Sequence, residues 1–270
     1  MRPFQAGDSI FAVSHPTPLP HPAFRVVTEV PSPDLPALVH PEWSDEFPWL
    51  VQGTTVRGSG APFDLGLFSD ASTPRSVLEH WGDLRRLTGI PRAVHARQVH
   101  GSAVRFHQGG PPGLHLADAC DGHAVASVGV LLAVTTADCV PISVVAPGRG
   151  AIALLHAGWR GAAAGILERG LGVLRERLGS GEVRVHLGPA ICGRCYEVGP
   201  EVFDALGLPV PQEPRPLDLA GWLAVRAVDA GVPAEHVTRS SHCTLCGDVG
   251  LFSHRGGNTE RQVGYLGMNA

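Results

Sequence analysis

The stretch "AIALLHAGWRGAAAGILERGLGVLRERLG", residues 151–179, carries the two periodicities that decide the fold. Its opening, AIALLH, is a short continuous apolar run of the kind a buried strand presents. Beyond the glycines, Leu167, Leu171, Leu174 and Leu178 recur at helical spacing, and Gly179 can close the helix. Between the two, His156, Trp159 and Arg160 stand among glycines. A strand that ends on a histidine and feeds a helix implies mixed architecture with polar chemistry at the strand end.

The same signals continue on both sides. "VLLAVTT" (130–136), "ISVVA" (142–146) and "VRVHLG" are apolar, β-branched runs that read as buried strands. In "TPRSVLEHWGDLRRLTG" Val77, Trp81 and Leu84 share one helical face, with Pro74 near the start and Gly89 just past the end. A further helix is expected from Asp218, a plausible N-cap, to Gly231. There is no regular βαβ alternation, no internal repeat and no strong linker after residue 47. The expected fold is therefore α+β, mixed β-sheets packed with flanking helices in a single domain, residues 47–270. Residues 1–46 are rich in proline and histidine and read as an extension of irregular chain with short strand pieces. His15, His21 and His40 within it are expected to be solvated loop histidines.

Composition narrows the function classes. The chain of 270 residues has ample material for a core, and a net charge of -4 gives no general footprint for nucleic acid. No apolar run approaches the roughly 20 residues that span a bilayer. The N-terminus lacks the basic start and apolar core of a signal peptide, so cytoplasmic location is expected. Six cysteines in a chain this long do not make a disulfide scaffold. Ligands, nucleophiles or buried thiols are the remaining roles.

Four segments concentrate reactive side chains: "RQVHGSAV", "TTADCVPI", "LLHAGWRG" and "LGPAICGRCYEVG". Cys139 and His156 lie at or just beyond predicted strand ends, and neighbouring strands could bring them to one sheet edge. With His100 they form a two-histidine, one-thiolate set that suits Zn²⁺ and leaves a fourth position open. Two core histidines and a buried thiol are the alternative. The glycines after His156 permit close backbone approach, and the helix start with Arg160 is a candidate phosphate seat. Arg160 paired with a carboxylate is the alternative there. Trp159 could stack on a flat substrate or sit in the core.

"QVHG", "ADACDG", "TADCVPI", "HAGWRG", "GPAICGRCYEVG" and "LFSHRGG" occur in the order and near the spacing of the laccase-domain family. Residues 47–270 resemble that family, whose members are often labelled polyphenol oxidase and are regarded as purine nucleoside phosphorylases. The resemblance implies zinc on His100, Cys139 and His156. It also implies phosphorolysis of adenosine, inosine and methylthioadenosine, with adenosine deamination as a second activity. Purine nucleosides and phosphate are the implied partners, with no nucleic acid or membrane. Arg57, Arg160 and Arg255 are candidates for holding phosphate. Asp138, beside the ligand cysteine, is a candidate to orient or accept a proton, or to tie down the loop. Glu197 is a weaker general-base candidate.

Two departures from the family pattern bear on the anion site. Asp64 stands where an asparagine is usual, and an acid facing the site would repel phosphate. Gly256 follows Arg255 where a second arginine is common, with Arg261 close by as a substitute. Separately, Cys192-Gly-Arg-Cys195 and Cys243-Thr-Leu-Cys246 have the internal spacing of a Cys₄ zinc site. About 47 residues separate the two pairs, well beyond the usual ribbon interval. Paired buried thiols or a redox-formed disulfide are the alternatives.

Copper-dependent polyphenol oxidation is the main rival function. A His₂Cys set can describe a blue-copper centre, usually with an axial methionine. Only Met1 and Met268 exist, neither near the motifs, and there are no His-x-His pairs. Cu²⁺ could still displace zinc, because it binds such donors more tightly. A Cys-His hydrolase with Cys139 as nucleophile is a third reading, and a non-enzymatic zinc module a fourth.

Overall fold

Two of the apolar runs become β9 (Val130–Thr136) and β11 (Ala151–Ala157), interior strands of two different sheets. The structure is a computed structural model and describes residues 24–269 except Ser180. Among these residues, the sheet holding β11 runs β1 (Arg25–Val27), β15 (Val237–Ser240), β12 (Arg184–Leu187), β10 (Val140–Ala146), β11, β8 (Gly122–Val125), β6 (Val104–His107). The sheet holding β9 runs β2 (Val30–Pro31), β3 (Ala37–Val39), β4 (Leu50–Thr55), β16 (Gln262–Met268), β9, β5 (Arg92–Ala96), β7 (Gly113–Ala117). A short ladder of β13 (Glu197–Val198) and β14 (Arg215–Pro216) stands apart.

Side-chain parity explains why these strands lack apolar–polar alternation. On β11, Ala151, Ala153, Leu155 and Ala157 face a cluster shared with α4 (Ile166–Leu178) and α6 (Leu219–Asp229). Ile152 and Leu154 face the opposite way, into a cluster shared with Val94, Leu132, Val134 and Leu266 of the other sheet. Leu131 and Ala133 of β9 point outward to Val77, Trp81 and Leu84 of α2 (Pro74–Thr88). The layers are thus helix, sheet, sheet, helix, and each interior strand is buried on both faces. Each leucine or isoleucine fully buried there stabilises by about 1.5–3 kcal/mol over exposure.

The helix signals mark their elements well. Thr73 caps α2, its hydroxyl accepting from the Ser76 amide at 3.3 Å, and Gly89 ends it at φ 70°. Asp218 caps α6 through the Gly221 amide at 2.9 Å, and the helix stops at Asp229 rather than continuing to Gly231. The helix after the HAGWRG glycines is broken in two. α3 (Trp159–Ala163) is a short piece, and Gly165 turns the chain at φ 80° before α4 begins. A φ of that sign is one that glycine adopts without steric cost.

The Pro/His-rich stretch, from residue 24, contributes to both sheets. β1 pairs in parallel with β15, and β3 pairs with β4. The expectation for His40 is corrected: it is 1% exposed and caps α1 (Pro41–Glu46), with Nδ1 accepting from the Trp43 amide at 3.3 Å. Its ring stacks on Trp43 and meets His186 edge-on. Burial, with the charges of His186 and Arg25, pushes its pKa down to about 3, so it stays neutral. His15 and His21 lie outside the described residues. α5 (Pro200–Ala205) lies between β13 and β14 in the chain.

Candidate metal centre

The motif TTADC is the crossing between the sheets. Thr135 and Thr136 end β9, and Cys139 immediately precedes β10. β10 and β11 pair antiparallel with Pro141 opposite His156, which sets the thiol and that imidazole on one sheet end. His100 enters from the turn between β5 and β6. The ligand atoms of His100, Cys139 and His156 all lie within 4.8 Å of one another. His156 is buried, Cys139 half-buried and His100 exposed, so the trio opens to one side. Two nitrogens and one sulfur in this arrangement fit a tetrahedral ion with one position free.

Asp121, a residue assigned no role by sequence, organises the centre. Its carboxylate is wholly buried and accepts from the amides of Val99, His100 and Gly101 at 3.1, 2.9 and 2.9 Å. It also accepts from His156 Nδ1 at 2.9 Å, which leaves Nε2 free for a metal. A carboxylate behind a ligating histidine fixes the tautomer and ring orientation. Its only trace in sequence is the lone acid of "ACDG". Burial alone would raise the Asp121 pKa, but the bonds from His156, Gly101 and Val99 outweigh it and leave it lowered.

The two backbone outliers flank the ligands. His100 and Asp138 adopt φ of 58° and 89°, which costs roughly 1–3 kcal/mol for a side-chain-bearing residue. Asp121 holds the first turn through its three amides. Asp138 holds the second: its carboxylate accepts from Thr244 Oγ1 at 2.6 Å and the Arg255 amide at 2.7 Å, and its carbonyl from the Ile191 amide at 3.0 Å. Both carboxylate oxygens are therefore engaged in holding loops together.

The HAGWRG glycines serve close approach, though to the other ligand loops. A Cβ at Gly158 would lie 3.0 Å from both Cys139 Sγ and His100 Cδ2, and one at Gly161 would lie 2.9 Å from the Gly101 carbonyl oxygen. Electrostatically, the thiol and imidazole act as a pair. Burial opposes both charges, yet the His156 charge and bonds to both histidines pull Cys139 down to about 6. The Cys139 charge and the Asp121 bond lift His156 to about 9 against the same opposition.

A cavity of about 350 Å³ opens beside the trio, lined by His100, Cys139 and His156 and also by Phe68, Arg97, Gln98, His254 and Arg261. That volume suits a small molecule. Gln98 is locked to Thr135, donating to its carbonyl at 2.8 Å and accepting from its amide at 2.7 Å. Arg97 is exposed and, among the described residues, has no hydrogen-bond or ion-pair partner. The Phe68 ring is 57% exposed. The sequence carries no mark for Phe68, and for Arg97 only a cation two positions before "VH".

The three candidate phosphate arginines lie elsewhere. Arg160 is exposed and stacks over Trp159 at 4.2 Å, Arg57 lies over Phe252, and Arg255 donates to the Glu197 carbonyl at 3.0 Å beside Tyr196. None of them lines the cavity. Glu197 is exposed on β13, also away from it. Asp64 is wholly buried and accepts from the amides of Gly66 and Arg261 at 2.9 Å each. It anchors the loop that carries Arg261 and does not line the cavity.

Among the described residues, no helix is long and apolar enough to cross a membrane. The sequence model of a family described as "Multi-copper polyphenol oxidoreductase laccase" matches residues 52–269. The chain is 37% identical over 253 residues to the purine nucleoside phosphorylase YlmD of Geobacillus stearothermophilus, across 82% of this chain and 91% of that one. It is 36% identical over 142 residues to the adenosine deaminase RL5 of an unknown prokaryotic organism, across 47% and 53% of the two chains. The crystal structure of YlmD from Geobacillus stearothermophilus superposes with a TM-score of 0.81 at 28% identity, covering 91% of this chain and all of that one. With a match of this extent and a relative this similar, the chain belongs to the family described as multi-copper polyphenol oxidoreductase laccase.

Proposed function

We propose that this chain is a zinc-dependent purine nucleoside phosphorylase acting on adenosine, inosine and methylthioadenosine, with adenosine deamination as a second activity. The carrying observation is the convergence of His100, Cys139 and His156 on one wall of a cavity that also holds Arg97, which has no hydrogen-bond or ion-pair partner among the described residues. The names of the similar proteins support both reactions.

The donor set fits zinc in ligand number, ligand type and the carboxylate behind His156. When bound there, zinc supplies a Lewis acid and lowers the pKa of a coordinated water towards neutrality. The remaining work belongs to the protein. Arg97 places a fixed positive charge for phosphate at the cavity wall, with Arg261 and His254 as further donors. Phe68 offers an exposed ring face on which a purine can stack. Asp121 keeps His156 in one tautomer and the His100 turn in one conformation. We assign Asp138 to positioning of Cys139, and leave Arg57, Arg160 and Arg255 as phosphate candidates only for an arrangement that moves them into the cavity. The catalytic domain would span residues 47–270, in the cytoplasm.

Copper oxidation has weaker support. Met268 is buried in β16 within the inter-sheet core, and the chain has no His-x-His pair to build a cluster. The hydrolase reading explains the lowered Cys139 pKa but leaves the second histidine without a task. The test is incubation of zinc-quantified protein with adenosine, with and without phosphate. Phosphate-dependent adenine supports phosphorolysis, and inosine formed without phosphate supports deamination. Neither product from zinc-replete protein would sink the reading.

A further inference from the structure

A second set of convergent donors lies apart from the cavity. Cys192 and Cys195 follow β12, and Cys243 and Cys246 follow β15. Those two strands are parallel neighbours, with Val185 opposite Val237, so both loops leave the same sheet end. An Ala190–Cys243 bridge continues the pairing beyond the strands, with the Thr244 amide donating to the Ala190 carbonyl at 3.1 Å. The long interval between the pairs is thus the ordinary crossover between two parallel strands, and the objection from spacing falls away.

The four sulfurs lie within 4.8 Å of one another, and Cys192 Sγ and Cys246 Sγ are 3.9 Å apart. A tetrahedral ion with Zn–S bonds of about 2.3 Å has sulfur–sulfur edges of about 3.8 Å. A disulfide needs about 2.05 Å, and all four are free thiols. The amides of Cys192 and Cys246 both point at Cys243 Sγ, at 3.2 and 3.5 Å. Backbone N–H groups that converge on one sulfur are contacts that a metal-ligating sulfur can accept. We propose that Cys192, Cys195, Cys243 and Cys246 bind a structural zinc ion that staples these two loops. With four protein ligands the site is closed, with no position for substrate.

The staple bears on the other centre through Asp138. Its carboxylate is held by Thr244, next to Cys243, and its carbonyl by Ile191, next to Cys192. The tetrathiolate ion therefore fixes the loops that set the backbone of Cys139.

The test is metal content of protein purified under reducing conditions. Wild type carries two zinc per chain. Cys246→Ser and Cys195→Ser each carry one and melt at lower temperature, and a His100→Ala, His156→Ala protein keeps one. Should the cysteine variants fail to fold, loading metal-free wild type with cobalt gives a direct reading: a four-thiolate centre adds strong sulfur-to-metal charge transfer that a single thiolate cannot match. No zinc in the His100→Ala, His156→Ala protein, unchanged zinc in both cysteine variants, or a cobalt spectrum with only one thiolate would overturn the staple. Loss of zinc from the histidine centre alone bears on the proposed enzyme and leaves the staple standing.

Discussion

The two cysteine-bearing clusters differ both in their donors and in what surrounds them. Around Cys139 there are three ligand atoms, a wholly buried carboxylate behind one histidine, and a cavity of about 350 Å³ in front. Around Cys243 there are four sulfurs, two amides aimed at one of them, and an exposed edge at Cys246. Ligand number separates the roles, since three donors leave a position for water or substrate and four do not. The first cluster is built to keep an opening, and the second to close one.

The largest effects should come from breaking the open cluster. Cys139→Ser or His156→Ala is expected to lower kcat/KM for phosphorolysis by about 10³-fold or more, as a Lewis acid worth several kcal/mol disappears. Zinc should fall by one per chain in the same samples. Retained activity in a protein lacking that zinc would show that the trio is not the catalytic centre. Asp121→Asn should have a smaller effect, about 10–100-fold in zinc affinity or activity, because the ligands survive but lose their orientation. Arg97→Ala should reduce phosphate-dependent kcat/KM by about 10–100-fold, the worth of a charge-assisted hydrogen bond, with zinc unchanged. An equal drop in zinc would make Arg97 structural instead.

Protonation gives the open cluster a further signature. In the metal-free protein near pH 7.5, His156 holds its proton below about 9 and Cys139 has lost its own above about 6. Zinc binding at the open cluster must therefore release one proton, from His156. Release should vanish as pH rises through 9 and increase as pH falls through 6, which calorimetry in buffers of different ionisation enthalpy can follow. The same signs apply to stability of the metal-free fold. The raised His156 stabilises it below the ordinary histidine value and loses that contribution as pH rises through about 9. The lowered Cys139 stabilises it above the ordinary thiol value and loses that as pH falls through about 6. The smallest expected effect is from Gly158→Ala, whose methyl would press at 3.0 Å on Cys139 and His100. A several-fold loss of zinc affinity at the open cluster is expected, with the closed cluster unaffected.

Sequence periodicity and motif order already contained β9, β11, α2 and the three metal candidates, because each depends on local pattern or on a side chain whose chemistry is unusual. What stayed hidden depends on neighbours far along the chain. His40 reads as a loop histidine among prolines, yet Trp43 and His186 enclose it in the fold. Asp121 is one acid among many until three amides and an imidazole converge on it. Arg97 gains meaning from the cavity, while Arg160, prominent in its motif, lies over the face of Trp159 and outside that cavity. The break at Gly165 escaped because the alanines at 162–164 favour helix as much as the leucine-spaced segment that follows, and one left-handed glycine redirects the axis.

The most direct measurement is release of free base from inosine by zinc-replete protein as phosphate is varied. A rate that rises with phosphate, saturates, and is lost in the Cys139→Ser protein is the predicted result. Zinc-replete wild type that releases no hypoxanthine at any phosphate concentration would contradict the account.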